Sequence, residues 1–210
     1  MKEEVKILFL VLSLALPANT ILAQDTRDEQ IKKAVEQLKS EDTNERVDAI
    51  ESLEKLHAKE YVKDIAEFLK DGNGTVRGKA MVALGRLGAK EYTKDVAELL
   101  KDKDWMVRIS GIGSLVSLIA KEYEKDIAVL LKDSDSSVRQ SAIWALVEFK
   151  AKDYAKDIAS LLGDESPNVR IDAVWALAKL EPKEHVKYIA ASLEDREWNV
   201  RHNAARALGV

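Results

Sequence analysis

An all-α fold, built as a solenoid of two-helix repeats, is predicted by three observations. A Val-Arg pair returns at Val76-Arg77, Val107-Arg108, Val138-Arg139, Val169-Arg170 and Val200-Arg201, with a poorer copy at Glu45-Arg46, so arginines 46, 77, 108, 139, 170 and 201 stand 31 residues apart. Between them apolar residues recur at helical spacing, and no stretch alternates as a strand would. The third observation is the residue ahead of each first helix: Asp42, Asn73, Asp104, Asp135, Ser166 and Glu197, all but the last good N-caps. A fixed period without insertions means copies of one supersecondary unit, each covering its neighbour's apolar face.

Residues 1–23 differ from the rest. Lys2 and Lys6 flank the apolar run Ile7 to Leu16, Pro17 breaks it, and Ala23 supplies a small residue for cleavage. This reads as a secretory signal peptide, too short in its apolar core for a membrane span, and it places the chain outside the cytoplasm, periplasmic or secreted. Residues 24–42 form an N-terminal capping helix, amphipathic through Ile31, Ala34, Val35 and Leu38, which aligns with the second helix of later units and lacks a first helix.

The repeat region, 43–210, holds five full units at 43–73, 74–104, 105–135, 136–166 and 167–197, then a half unit. In the fourth unit the first helix carries Val138, Ala142, Ile143, Ala145, Leu146 and Phe149, and the second carries Tyr154, Ile158, Ala159, Leu161 and Leu162. Both sets follow helical spacing. Pro167 and Pro182 stand where a helix begins, the position at which a missing N–H costs little. The half unit ends on Ala207-Leu208-Gly209-Val210, an apolar end open to self-association or to a partner.

Composition limits the function classes. With 33 basic and 37 acidic residues the formal net charge is −4, so the basic footprint of a nucleic-acid binder is missing. There is no cysteine, which removes disulfides, thiolate metal sites and a cysteine nucleophile. His57, His185 and His202 are the only histidines, and no pair has metal-ligand spacing. Neither a Gly-rich phosphate loop nor a nucleophile elbow occurs. No cofactor is expected.

Units of this length, carrying Leu-Leu-Lys-Asp, a cap residue, Val-Arg and then Ala and Ala-Leu at helical spacing, resemble HEAT repeats of the short type first associated with phycobilisome lyases. The resemblance runs from about residue 31 to the end and implies an armadillo-like superhelix. It also implies that second helices line the concave surface, and that an Asp to Arg ladder ties neighbouring units together: Asp71, Asp102, Asp133, Asp164 and Asp195, each six residues before Arg77, Arg108, Arg139, Arg170 and Arg201. In the first unit Ser40 takes the aspartate position ahead of Arg46. The His-Glu pairs of HEAT-like iron hydroxylases are absent. A phycobilin lyase role, or a chaperone-like subunit binding a small apolar ligand or chromophore, is the alternative that the resemblance offers, and the export signal argues against it.

Departures from the repeat mark candidate binding residues. One first-helix column reads Glu51, Val82, Gly113, Trp144, Trp175 and Arg206, so its members are expected at the surface, with folding of Trp144 over Gly113 as the other reading. Trp105 and Trp198 share a helix-start column whose other members, Thr43, Gly74, Ser136 and Pro167, are small. In the fifth unit His185 replaces the tyrosines of the Tyr61, Tyr92, Tyr123 and Tyr154 column, and Tyr188 replaces the aspartates of the Asp64, Asp95, Asp126 and Asp157 column. Beside that column runs Lys63, Lys94, Lys125, Lys156 and Lys187. Trp144, Trp175, His185, Tyr188 and Trp198 are therefore expected to contact a protein or peptide partner. The function expected is that of an exported, non-enzymatic interaction scaffold. Gly111 and Gly113 each weaken the first helix of the third unit, which predicts a softer middle.

Overall fold

The computed structural model describes residues 18–180 and 182–209, and residues 1–17 of the expected export signal lie outside them. The chain forms two compact units, Met1–Ala58 and Lys59–Val210.

In the first unit, α1 (Ala18–Gln37) packs on α2 (Thr43–Lys55), and Ile31, Ala34, Leu38, Ala49, Ile50 and Leu53 are buried. The capping helix ends at Gln37, short of residue 42, because Asp42 is already the N-cap of α2 and accepts from the Asn44 and Glu45 amides at 2.7 and 3.2 Å. Arg46 donates to the carbonyls of Ser40 and Glu41 at 3.0 and 2.8 Å.

The second unit begins with the short helix α3 (Val62–Glu67), then alternates long and short: α4 (Gly74–Leu87), α5 (Thr93–Glu98), α6 (Trp105–Ser117), α7 (Glu124–Val129), α8 (Ser136–Phe149), α9 (Ala155–Ser160), α10 (Pro167–Leu180), α11 (Pro182–Ala191) and α12 (Trp198–Leu208). Consecutive long helices pack on one another, and each short helix packs on the long helix that follows it. No strand occurs among the described residues. The core is one apolar seam between the layers, with Ile65, Val96, Ile127 and Ile158 from the short helices against Met81, Leu84, Leu115 and Leu146 from the long ones, all fully buried. At about 25 cal/mol per Å² of apolar surface, each such side chain contributes roughly 1.5–3 kcal/mol.

Local chemistry sets the boundaries. Asn73, Asp104 and Asp135 cap α4, α6 and α8 by accepting amides of the first turn, whereas Glu197 makes no such bond for α12, its carboxylate sitting one methylene too far out. Four long-to-short turns pass through a left-handed residue: His57 (φ 50°), Gly88 (φ 76°), Ile119 (φ 58°) and Lys150 (φ 58°). Only Gly88 adopts that region without steric cost. Gly85 serves close approach instead, since a Cβ there would meet the Ser114 Cα at 3.1 Å. Gly113 faces open space: a Cβ there would meet nothing within 4 Å, so Trp144 does not fold over it.

Candidate functional site

Of the Val-Arg arginines, Arg77, Arg139 and Arg170 are buried, Arg108 is half-buried and Arg201 is exposed. Arg77 donates through Nη1 to the Asp71 carbonyl at 2.8 Å, and through Nε and Nη2 to both carboxylate oxygens of Asp102 at 2.8 Å each. Thus an arginine bonds the backbone of its own turn and the aspartate of the next unit, 25 residues on. Arg170 repeats the two-bond clasp on Asp195 at 2.7 and 2.8 Å. Arg108 and Arg139 reach Asp133 and Asp164 through Nη2 alone, at 2.7 and 2.8 Å, and their Nε atoms are buried without a partner. Arg201 reaches only the carbonyls of Asp195 and Arg196, at 2.7 and 3.1 Å.

Each aspartate also accepts the amide two residues on, as Asp102 does from Asp104 at 2.9 Å, which orients the carboxylate toward the incoming guanidinium. The bond from Arg170, more than burial opposes, holds the Asp195 carboxyl below the ordinary aspartate range. For Asp102 burial pushes upward most strongly, yet the Arg77 and Asp104 bonds together bring the net shift down. The guanidinium groups of Arg77, Arg139 and Arg170 are held above their ordinary value, chiefly by the carboxylate bonds. A compensated arginine with little exposure offers little to an external anion, so Arg77, Arg108, Arg139 and Arg170 form a structural clamp.

The surface shaped to receive something lies between successive short helices. Three pockets recur there with the 31-residue period. The first, about 420 Å³, is lined by Lys63, Ala66, Leu69, Tyr92 and Asp95 among others. The second, about 190 Å³, has the equivalent Lys94, Ala97, Leu100, Tyr123 and Asp126. In the third, about 550 Å³, stand Lys125, Ala128, Leu131, Tyr154 and Asp157. The 3₁₀ turns at the ends of the short helices, such as Lys90–Tyr92 and Leu99–Lys101, supply tyrosine and leucine to the lining. The lining lysines Lys63, Lys94 and Lys125 and aspartates Asp95, Asp126 and Asp157 are exposed, and Ala66, Ala97 and Ala128 are half-buried.

The expected aromatic set does not converge on one patch. Trp144 and Trp175 are 43% and 46% exposed on the long helices α8 and α10, where Lys179 lies 5.5 Å from the Trp175 ring centroid. Tyr188 is exposed on the short helix α11, in the column of the pocket aspartates, with Lys187 at 4.9 Å from its ring. Trp198 is exposed at the start of α12, 5.9 Å from His202. His185 is a correction: only 6% exposed, it is not a partner-facing residue. Standing where the other units have a half-buried tyrosine, the smaller imidazole sits inward, 6.0 Å from Tyr188, with Nδ1 enclosed and unbonded.

Sequence reasoning singled out the lysine and aspartate columns but not the pockets, because Ala66, Ala97 and Ala128 look like ordinary helix residues. It also missed Asp172, half-buried on α10, which accepts from Gln140 Nε2 at 2.6 Å and whose carboxyl is pushed up by burial, against the opposing hydrogen bond. No cluster of residues able to hold a metal ion occurs among the described residues, and none of their helices is long and apolar enough to cross a membrane.

Known proteins align with this architecture. The family model for HEAT repeats matches residues 31–116, 93–164 and 156–209. No curated protein matches. Among solved structures, the complex of CpcE and CpcF of phycocyanin lyase from Nostoc sp. PCC7120 aligns at 23% identity and TM-score 0.63, over 85% of this chain and 76% of that one. A designed armadillo repeat protein in complex with the peptide (KR)4 aligns at 20% identity and TM-score 0.60, over 86% and 98%. The YibA protein of E. coli aligns at 18% identity and TM-score 0.68, over 88% and 73%. At these identities the likeness is one of fold.

Proposed function

We propose, from the premise that the chain belongs to the HEAT repeat family, that it is a non-enzymatic scaffold which holds a protein or peptide partner along its short-helix face. One observation carries this reading: three pockets at equivalent positions recur one repeat apart, each lined by a half-buried tyrosine, an alanine, leucines and charges of both signs. A row of equivalent sites suits a polymer, whose own units repeat, better than a single small molecule. The designed neighbour that holds the peptide (KR)4 supports the reading, since it shares the fold. Nucleic acid is disfavoured by the net charge of −4. On the apolar run Ile7 to Leu16 and the small residue Ala23, the chain is exported and processed before Gln24.

Capture from cell-envelope extract tests the reading with three proteins: the parent, a Tyr92→Ala/Tyr123→Ala/Tyr154→Ala variant, and a Trp144→Ala/Trp175→Ala variant, each checked for retained cooperative melting. Partner capture is expected from the parent and the tryptophan variant and not from the tyrosine variant. The reverse pattern would move the site to the long-helix face. The likeness to a phycocyanin lyase complex motivates one control, titration with a tetrapyrrole, where saturable colour change would favour the chromophore-binding alternative.

A further inference from the structure

We infer that the partner segment is a polyproline II peptide that places every third side chain in a pocket, ordered from a basic residue through an aliphatic one to an acidic one; this rests on the peptide-binding reading above. Packed helices lie about 8–10 Å apart, so consecutive pockets are separated by roughly that distance. A β-strand rises about 3.3 Å per residue and would cover it in three residues, but its side chains alternate, so the first and fourth point to opposite faces. A polyproline II helix rises about 3.1 Å per residue with three residues per turn. Its first, fourth and seventh side chains therefore share one face, each about 9 Å from the next.

Polyproline II backbone makes no internal hydrogen bonds, and its carbonyls need donors. The pocket tyrosines, Tyr92, Tyr123 and Tyr154, are half-buried, and their hydroxyls make no hydrogen bond among the described residues. Aromatic-lined grooves are also where proline-rich segments dock.

Charge changes along the row because one column reads Glu67, Glu98, Val129 and Ser160. In the first pocket Glu67, Asp95 and Glu98 outnumber Lys63 and Lys70. In the second, Glu98 and Asp126 match Lys94 and Lys101, and Val129 enters the rim. In the third, Lys125 and Lys132 face Asp157, the carboxylate of Asp133 being held by Arg108. Val129 is 67% exposed between the second and third pockets, an apolar side chain with nothing of its own chain over it. The row therefore runs from acid-rich, through balanced, to base-rich and apolar, and a complementary ligand runs from basic to aliphatic to acidic.

Fluorescence anisotropy with the full chain tests this. The probe is a labelled proline-background peptide with arginine, valine and aspartate at every third position. Its comparators carry the same three residues at every second position, or at every third position in a glycine-serine background. The inference expects the first peptide to bind at least roughly tenfold tighter than the second and several-fold tighter than the third. Glu67→Lys is expected to weaken it roughly tenfold, and a peptide with aspartate in place of the arginine is expected to recover that loss on the same variant. Tyr123→Phe, which removes only the hydroxyl, is expected to cost several-fold without changing the melting temperature. Equal binding of all three peptides, or absence of the charge-swap recovery, overturns the polyproline inference and leaves peptide binding standing. Failure of every peptide to bind overturns the short-helix face as the site.

Discussion

The turn side and the short-helix side of this molecule obey the same 31-residue period and use it differently. On the turn side, Arg77, Arg139 and Arg170 are buried and joined to aspartates one unit on, and what varies is only whether the clasp has one bond or two. On the short-helix side the lysines and aspartates are exposed, and the residue between pockets drifts from Glu98 to Val129 to Ser160. Repetition without drift marks positions whose partner is the chain itself. Drift at exposed positions of an otherwise strict repeat marks a surface free to match something else.

The sharpest way to break this comparison is to remove one buried rung. Arg139→Ala leaves the Asp164 carboxylate buried beside an empty site, both side chains being only 7% exposed in the pair. The expected loss is about 3–5 kcal/mol, the usual consequence of orphaning one member of a buried ion pair. Arg201→Ala removes an exposed side chain bonded to carbonyls alone, and about 1 kcal/mol or less is expected. Urea unfolding of the two variants measures both. Equal losses would mean that the clamp between units contributes nothing beyond the turn bonds that every arginine makes.

A smaller effect is expected where the backbone repeats and the side chain does not. Ile119 adopts φ 58° at the position that Gly88 fills in the preceding unit, and its side chain is 67% exposed. A β-branched residue in that region costs roughly 1–2 kcal/mol, so Ile119→Gly is expected to stabilise by about 1 kcal/mol after the loss of chain entropy is counted. Gly88→Ala is expected to destabilise by a similar amount. Thermal melts of the pair decide the point, and a destabilised Ile119→Gly would show that strain is absent.

These positions show what was legible in the sequence. The fold was, because the arginines, the caps and the apolar spacing are all read from residue type. The left-handed turn was not, because His57, Ile119 and Lys150 give no glycine signal and only Gly88 does. The exposure of Trp144 and Trp175 followed from a column that tolerates acid, glycine and base, whereas the same reasoning failed for His185, whose burial depends on how its ring fits a site built for tyrosine. The pockets were hidden for a related reason: an alanine floor is visible only when the neighbouring helix is placed beside it.

Smaller again are changes on the pocket rims. Glu98→Gln and Val129→Ser touch exposed side chains, and both are expected to leave unfolding free energy within about 0.5 kcal/mol of the parent. A loss of several kcal/mol from either, seen in the same urea titrations, would turn the groove into a structural seam and erase the contrast with the clamp.

One effect depends on pH, and it concerns Asp172. Asp102 and Asp195 have folded pKa values below the ordinary range, so their stabilisation is complete above about pH 4 and disappears as pH falls through those lowered values. Asp172 has the opposite sign. Burial raises its folded pKa, so the folded chain holds that proton more tightly than the unfolded chain, and stability declines as pH rises from about 4 through the raised value. Asp172→Asn removes the buried charge and keeps an oxygen to accept from Gln140 Nε2. The variant is expected to be more stable than the parent at pH 7 by less than about 1 kcal/mol, and to match it near pH 3, where the parent's Asp172 is already neutral. Differential melting at the two pH values reads this directly. A gain of equal size at both would assign the effect to packing rather than to the buried charge.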